Sequence, residues 1–204
     1  MSGEGGEDGD ETGWPVELDG VVESVVATLG PNGRWNLAAL GLFSPEPITA
    51  RTWGNTRTRR NFRREGGGYV QFTRDPVDFV EAACSIYERD DPVLPSADAW
   101  ARVEVERVDT GESGGTRWEE WDLAPVESGI ENRVVPTTSR GYAAVIEATV
   151  AASRLGVEGY DTARLEARLA YFASVVERCG GERAREALSR LEEHVEWNRR
   201  NESF

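Results

Sequence analysis

A chain of 204 residues fits one large domain, or one domain with an appendage. It carries 37 acidic and 23 basic residues, and its formal net charge of -14 argues against general nucleic-acid binding. Hydrophobic residues make up 39% of the chain, and no run approaches the roughly 20 apolar residues of a membrane span, so we expect a folded protein in the cytoplasm.

The chain begins with an acidic segment and continues into a hairpin. Residues Met1–Gly13 are rich in glycine and carboxylates and contain no apolar anchor, so they predict a disordered tail. The β-branched run Val21–Leu29 is typical of a strand, and Asn32-Gly33 favours a tight turn after it. Trp35–Leu42 is predicted to return as the second strand.

The segment Ile48–Arg64, ITARTWGNTRTRRNFRR, is a basic stretch in an acidic chain. We expect a strand up to Trp53 and then a short helix that Phe62 anchors in the core. Asn55, Thr56 or Thr58 can cap this helix. The free N–H groups of a first helical turn, beside arginine and threonine, favour an anion, so we interpret the stretch as a phosphate-binding turn. A solvated basic helix that pairs with acidic surface is the alternative. Its arginines are Arg51, Arg57, Arg59, Arg60, Arg63 and Arg64.

Further strands and a helix are predicted next. Tyr69–Thr73 has strand character, and Asp75 can cap a helix over Pro76–Tyr87. Trp100–Val108 alternates apolar and charged residues, and Arg117–Val126 returns after a glycine-rich turn. These elements predict a small antiparallel barrel of about six strands with two inserted helices.

The last third of the chain changes to helical periodicity. Gly141–Leu155 is apolar on most sides, and two later stripes with spacings of three and four residues predict two more helices. We therefore divide the chain into a tail (1–13), a barrel (14–136) and a helical region (137–204).

Few side chains point to chemistry by themselves. His194, the one histidine of the chain, is predicted to be an exposed helix residue, so a Ser-His-Asp arrangement is not expected. Cys84 and Cys179 are far apart in sequence and are predicted to be buried, so a metal site is not expected either. Glu147, inside the apolar helix, needs a partner, and Arg140 or Arg154 is the candidate for a structural ion pair. If the chain is an enzyme, a bound cofactor is expected to do the chemistry.

The hairpin TLGPNGRWNLAALGLFSPEP and the basic TRTRRNF after it resemble the FMN-binding split-barrel superfamily, which includes flavin reductases. The region from Val21 to the last helix, including RGYAAVIEATVAASRLG, is similar to an archaeal family of unknown function that joins this barrel to a helical region. The resemblance implies an α+β fold, namely an antiparallel split β-barrel with a C-terminal helical appendage. It also implies bound FMN and a homodimer with the flavin near the interface.

The resemblance assigns roles to particular residues. In that superfamily a strand that ends in small residues lies along the isoalloxazine ring, and the basic turn after it takes the phosphate. The residues expected to face the ring with backbone groups are Asn36, Ala38, Ala39 and Gly41. Those expected at the phosphate are Arg51, Thr56, Arg57 and Thr58, while Asn61 would fix the turn or reach the phosphate.

The function implied is that of an FMN-binding protein, a flavin-dependent reductase or electron-transfer protein with NADH or NADPH as the candidate donor. One alternative is a non-catalytic flavin-binding or protein-interaction module. A second is an RNA-binding barrel that stacks bases on Trp35 and Trp53 beside the arginines.

Stability is predicted to depend on salt. The chain contains arginine but no lysine beside its 37 acidic residues, a composition typical of surfaces adapted to high salt, although a genome rich in G and C also favours arginine. Because salt screens repulsion between carboxylates, the denaturation midpoint should rise from low to molar salt. A midpoint that stays constant across this range would show that the composition reflects base content alone.

Overall fold

The computed structural model describes residues 13–44 and 46–195, so the predicted tail, except its last glycine, lies outside the described residues. This part of the chain forms seven strands and five helices. None of these helices combines the length and apolar character that crossing a membrane requires. The strands are β1 (Val21–Leu29), β2 (Trp35–Phe43), β3 (Thr49–Trp53), β4 (Gly67–Thr73), β5 (Tyr87–Arg89), β6 (Ala97–Ser113) and β7 (Thr116–Ile130). The helices are α1 (Arg57–Glu65), α2 (Pro76–Cys84), α3 (Arg140–Ala152), α4 (Thr162–Cys179) and α5 (Glu182–His194).

Six strands form a closed antiparallel barrel, which confirms the predicted α+β fold with C-terminal helices. Their order is β1-β4-β6-β7-β3-β2, and the pairing of β1 with β2 closes the ring. The predicted hairpin is confirmed, since β1 and β2 pair along their whole length. Gly33 in its turn has a φ of 74°, which glycine adopts without steric cost.

Two features of the sheet differ from the prediction. The helix predicted to reach Tyr87 ends at Cys84, because the backbone at Ser85 becomes extended and Tyr87–Arg89 pairs with β2 as a seventh strand. The hairpin of β6 and β7 is longer than predicted and runs to the pair Ser113–Thr116. The outer part of the hairpin was not predicted, because the alternation of apolar and charged residues ends where the strands leave the barrel. Both faces of the strands are exposed there.

Helix α2 packs on both the barrel and the C-terminal helices. Phe79 lies in a buried cluster with barrel residues such as Val25 and Leu37. Val80 lies in a second cluster that α3, α4 and α5 form, which includes Leu169. Although α2 belongs to the barrel segment in sequence, it therefore joins the two cores.

Polar contacts reinforce this junction. The Tyr142 hydroxyl donates to the carbonyl of Thr73 at 3.0 Å, so α3 is fixed to the end of β4. Asp75, which caps α2, accepts from Arg183 of α5 at 2.8 Å. His194 is exposed, as predicted, and its Nε2 lies 3.0 Å from a carboxylate oxygen of Glu81. All these contacts connect α2 or its neighbouring strand to helices of the last third.

Three sequence expectations in the helices need correction or refinement. Glu147 forms the expected structural ion pair, but its partner is Arg168 of α4, at 2.8 Å, because α4 packs alongside α3. Cys84 is half-buried against the helical core, and burial raises the pKa of its thiol to about 11. Cys179 is exposed rather than buried, since it is the last residue of α4, where the helix ends.

Helix α1 is held to the barrel by a buried carboxylate. Phe62 is buried, as predicted, and its ring meets Trp121 of β7 with centroids 5.3 Å apart. Glu119 of β7 is only 4% exposed and accepts from both Nε and Nη2 of Arg63. The Nε of Arg59 and the Nη1 of Arg107 lie 3.5 and 3.7 Å from the same carboxylate. The carboxylate of Glu119 is thus surrounded by three guanidinium groups.

Removal of this carboxylate charge is expected to destabilise the fold. Glu119→Gln leaves the surrounding guanidinium groups without a counter-charge, and since hydrogen bonds to charged groups contribute about 1.5–3 kcal/mol, we expect a loss of this order. The neighbouring Glu120 pairs with Arg51 at a more exposed position, so Glu120→Gln should cost less than about 1 kcal/mol. Urea denaturation of the two variants measures the difference. Equal losses would show that the Glu119 cluster has no special role.

Candidate functional site

A groove of about 1050 Å³ lies between the barrel and the C-terminal helices. Strands β1 and β2, the turn from β3 into α1, helix α2, the tip of the β6–β7 hairpin and the segment after α3 form its walls. This volume is at the upper end of the range of about 300–1,000 Å³ for small-molecule sites. The groove is therefore large enough for a cofactor-sized ligand.

The β2 wall contains the residues predicted to face a flavin ring. Asn36, Ala38, Ala39 and Gly41 all line the groove. A methyl group on Gly41 would lie 3.6 Å from Val21 Cγ1 and 3.9 Å from Glu23 Oε2, distances of ordinary contact. The glycine therefore keeps this wall flat, although a methyl group at this position would cause no clash. The wall offers small side chains and backbone edges to a planar molecule.

The turn from β3 into α1 forms the second wall. Thr56 is the N-cap of α1, and its hydroxyl accepts from the N–H of Arg59 at 3.3 Å. The Thr56 carbonyl accepts from the N–H of Arg60. Within the described chain, the N–H groups of Arg57 and Thr58 have no acceptor, as expected at a first helical turn. These two groups and the N-terminal end of the helix dipole favour an anion here.

The five arginines of α1 have three different surroundings. Arg59 and Arg63 are one turn apart and face Glu119, so they serve the barrel. Arg57 and Arg60 are three residues apart and line the groove. The fifth, Arg64, donates to the carbonyl of Leu29. Only part of the basic stretch is thus available to a ligand.

The groove arginines also differ in their partners. Arg51 pairs with Glu120 at 2.5 Å and its guanidinium lies 4.5 Å from the ring centre of Trp118. Arg57 donates through Nη1 to Glu88 and keeps its other donors. Arg60 donates to the Asn55 carbonyl at 2.7 Å and has no carboxylate within ion-pair distance among the described residues. Arg60 was not among the predicted site residues, although it belongs to the basic stretch.

Asn61 does not line the groove. It is 3% exposed, donates to Thr28 Oγ1 at 3.0 Å and accepts from Arg64 at 3.0 Å. It therefore fixes α1 to the end of β1, the first of its two predicted roles. All the other predicted site residues line the same groove.

Sequence reasoning missed the wall that follows α3. Ser153, Arg154 and Tyr160 line the groove, although they lie about a hundred residues after the basic turn. A methyl group on Gly159 would lie 3.0 Å from the Cα of Gly114 at the hairpin tip, so the two backbones pack directly. Both glycines have positive φ, 89° and 56°. Only this long-range packing brings the loop over the groove, so no local signal marked it.

Glu23 is a second groove residue that the sequence did not indicate. It lies on β1 opposite Gly41. Burial raises the pKa of Glu23, and the positive charge of Arg154 opposes this effect while the negative charge of Glu147 adds to it. The groove thus contains a carboxyl group that resists ionisation beside the predicted flavin-facing strand.

Glu23→Gln is expected to stabilise the protein at neutral pH. Because the folded chain raises the pKa of Glu23 above 4.5, ionisation of this group opposes folding once the pH rises through the folded pKa. The denaturation midpoint of Glu23→Gln should therefore exceed that of the parent near pH 7, and the two should converge below about pH 4.5. Glu17→Gln, at an exposed position, is the control and should show no such divergence. A parent more stable than Glu23→Gln near pH 7 would contradict this expectation.

Residues 22–132 match the N-terminal domain of the family described as "protein of unknown function (DUF447)", and residues 139–193 match a further domain of that family. No curated protein matches the sequence.

The chain is similar to several solved structures. The FMN-bound protein MM1853 from Methanosarcina mazei, of the same family, is 24% identical, with a TM-score of 0.72 over 87% of this chain and 96% of its own. The flavin reductase HpaC complexed with NADP+ is 14% identical, with a TM-score of 0.40 over 56% of this chain and 81% of its own. The styrene monooxygenase flavin reductase from Pseudomonas putida is 18% identical, with a TM-score of 0.39 over 56% and 82%. Because the N-terminal family domain alone spans more than half of the chain, this protein belongs to the DUF447 family.

Proposed function

We propose that this protein binds FMN in the groove and works as a flavin-dependent reductase or electron-transfer protein. The observation that carries the proposal is that every predicted flavin residue except Asn61 lines one groove of suitable size. The family member from Methanosarcina mazei, which is FMN-bound and shares this fold at a TM-score of 0.72, supports it.

The start of α1 fits a phosphate group. The N–H groups of Arg57 and Thr58, the Thr56 and Thr58 hydroxyls and the guanidinium groups of Arg57 and Arg60 would hold it. Glu88 keeps one donor of Arg57 occupied and so restricts this side chain to one orientation, while its remaining N–H groups stay available. Arg51, which Glu120 and Trp118 hold, would contribute mainly positive charge.

The β2 wall fits the flat part of a flavin. Ala38, Ala39 and Gly41 leave room for a ring along the strand, and Asn36 at 5% exposure fixes the far end of that wall. When bound, FMN supplies hydride and single-electron chemistry, with NADH or NADPH as the proposed electron donor. The chain's own residues orient the ring and shield it from water, so no side chain needs to act as nucleophile.

A non-catalytic flavin binder is the second candidate. Reduction of the bound flavin by NADH or NADPH at turnover rates would distinguish the enzyme from the binder. An RNA-binding barrel fits less well. Trp35 is half-buried and packs against Tyr69 with ring centres 5.4 Å apart, and several arginines of the basic stretch are bound to carboxylates.

Loss of the phosphate-binding arginines should weaken FMN selectively. Arg57→Ala and Arg60→Ala should each reduce FMN affinity roughly 10- to 100-fold, since bonds to charged groups contribute about 1.5–3 kcal/mol and about 1.4 kcal/mol is tenfold. Riboflavin lacks the phosphate, so its affinity should hardly respond. Fluorescence titration of both flavins measures these affinities.

The comparison of the two flavins separates recognition from stability. Arg164→Ala, at an exposed position on α4 outside the groove, is the matched control and should bind both flavins like the parent. If Arg57→Ala and Arg60→Ala both bind FMN as tightly as the parent, the phosphate does not lie at the start of α1. If the parent binds no flavin, the proposed function fails.

We also propose a homodimer. Large apolar side chains are exposed around the groove, and a symmetric two-fold contact is the commonest closed way to cover such a surface. They are Val21, Phe43, Trp53, Ile86 and Tyr160. Light scattering at molar salt and micromolar concentration should give twice the chain mass. A monomer mass under these conditions would contradict the proposal.

A further inference from the structure

We propose that Arg154 forms a second anion-binding subsite in the groove, which takes a carboxylate or phosphate group of a small organic substrate. Its role as a substrate site beside the flavin rests on the function proposed above. Binding of an anion at Arg154 does not require flavin and can be tested without it.

The first observation is that Arg154 lacks a carboxylate partner. Two of the other three groove arginines, Arg51 and Arg57, each pair with a glutamate, and Arg60 donates to a backbone carbonyl. Among the described residues, the Arg154 guanidinium forms no ion pair, and its recorded contact is with the Tyr160 ring at 5.5 Å from the centroid. Stacking on a ring orients a guanidinium but uses none of its five N–H donors. Arg154 therefore presents unused donors in a groove wall.

The second observation is that the nearby acid does not pair with this charge. Glu23 is close enough for its charge to interact with that of Arg154, yet no salt bridge or hydrogen bond joins the two side chains among the described residues. The half-buried position of Arg154 also makes an unpaired charge costly. An anionic group of a ligand would satisfy the donors that Glu23 leaves free.

The third observation is that hydrogen bonds and backbone packing fix the loop that carries Arg154. The N–H of Arg154 donates to the carbonyl of Ala151 at 3.3 Å, and that of Val157 to the carbonyl of Arg154 at 3.2 Å. Farther along, the close contact of Gly159 with Gly114 anchors the loop to the hairpin tip. Arg154 is thus held from both sides.

The fourth observation is that this subsite belongs to another part of the fold than the proposed phosphate site. Arg57 and Arg60 lie at the start of α1, whereas Arg154 lies just after the end of α3. Both groups lie in one groove of about 1050 Å³ but on different elements of the fold. We therefore place the cofactor phosphate at the start of α1 and the substrate anion at Arg154.

The test uses simple probes on the full chain. Benzoate and phenyl phosphate supply the two anionic groups, and benzamide is the neutral analogue. Isothermal titration calorimetry, with and without FMN, should show binding of at least one anion to the parent. Arg154→Gln should weaken that anion at least about tenfold and leave benzamide unchanged, since charge-assisted bonds are involved. The stronger of the two anions identifies the substrate group.

Matched variants keep the result interpretable. Arg164→Gln makes the same charge change on α4 outside the groove and should bind the anion like the parent. Arg154→Lys keeps the charge and should retain more affinity than Arg154→Gln, which a general loss of fold would not produce. FMN affinity of Arg154→Gln should stay within about twofold of the parent.

The outcomes separate the two proposals. The subsite is overturned if neither anion binds the parent at millimolar concentration, or if Arg154→Gln binds it unchanged. It is also overturned if Arg154→Gln weakens FMN as strongly as Arg57→Ala does, because Arg154 would then serve the cofactor. If the parent binds no FMN but binds an anion in an Arg154-dependent manner, the subsite stands and the proposed flavin function fails.

Discussion

The buried carboxylate of Glu119 determines how the basic stretch is used. A charge at 4% exposure is stable only with opposite charges around it, and Arg59, Arg63 and Arg107 provide them. Because Arg59 and Arg63 point to the barrel, the helical repeat turns Arg57 and Arg60 to the groove. Together with the buried side chains of Phe62 and Asn61, this anchor fixes which arginines of α1 face a ligand.

Because the chain is so acidic, the presence or absence of a carboxylate partner indicates whether an arginine is available to a ligand. Carboxylates outnumber arginines, so an arginine near other side chains is expected to find a partner, as Arg51 and Arg57 do. Arg60 and Arg154 line the groove without one. The net charge of -14 disfavours anions at long range, whereas these two side chains favour them locally, where screening by salt is least effective. The charges of Arg60 and Arg154 therefore favour an anion in the groove.

The sequence predicted those features that depend on neighbours along the chain. The first hairpin, the capped helix α1 and its anchor Phe62 follow from turn chemistry, capping and one apolar residue in a basic helix. The groove residues of β2 came from a family resemblance, and the structure brings them to the turn that precedes α1. Glu119, Glu23 and Arg154 were missed as groove or anchor residues because each lies beside elements that are far away in sequence. An acidic residue in a strand looks the same whether it faces solvent or three arginines.

The C-terminal helices are part of the site because α2 joins them to the barrel. Phe79 packs on β1 and β2, while Val80, the next residue, packs on the helices behind. A displacement of α3 would therefore be transmitted through α2 to the strand that forms the flat wall. The same α3 ends in the loop that carries Arg154, and Gly114 ties this loop back to the barrel hairpin. A barrel without the helical region would keep the start of α1 but lose one wall of the groove. The helical region thus adds a further basic side chain, Arg154, to a groove that the barrel segment already lines with arginines.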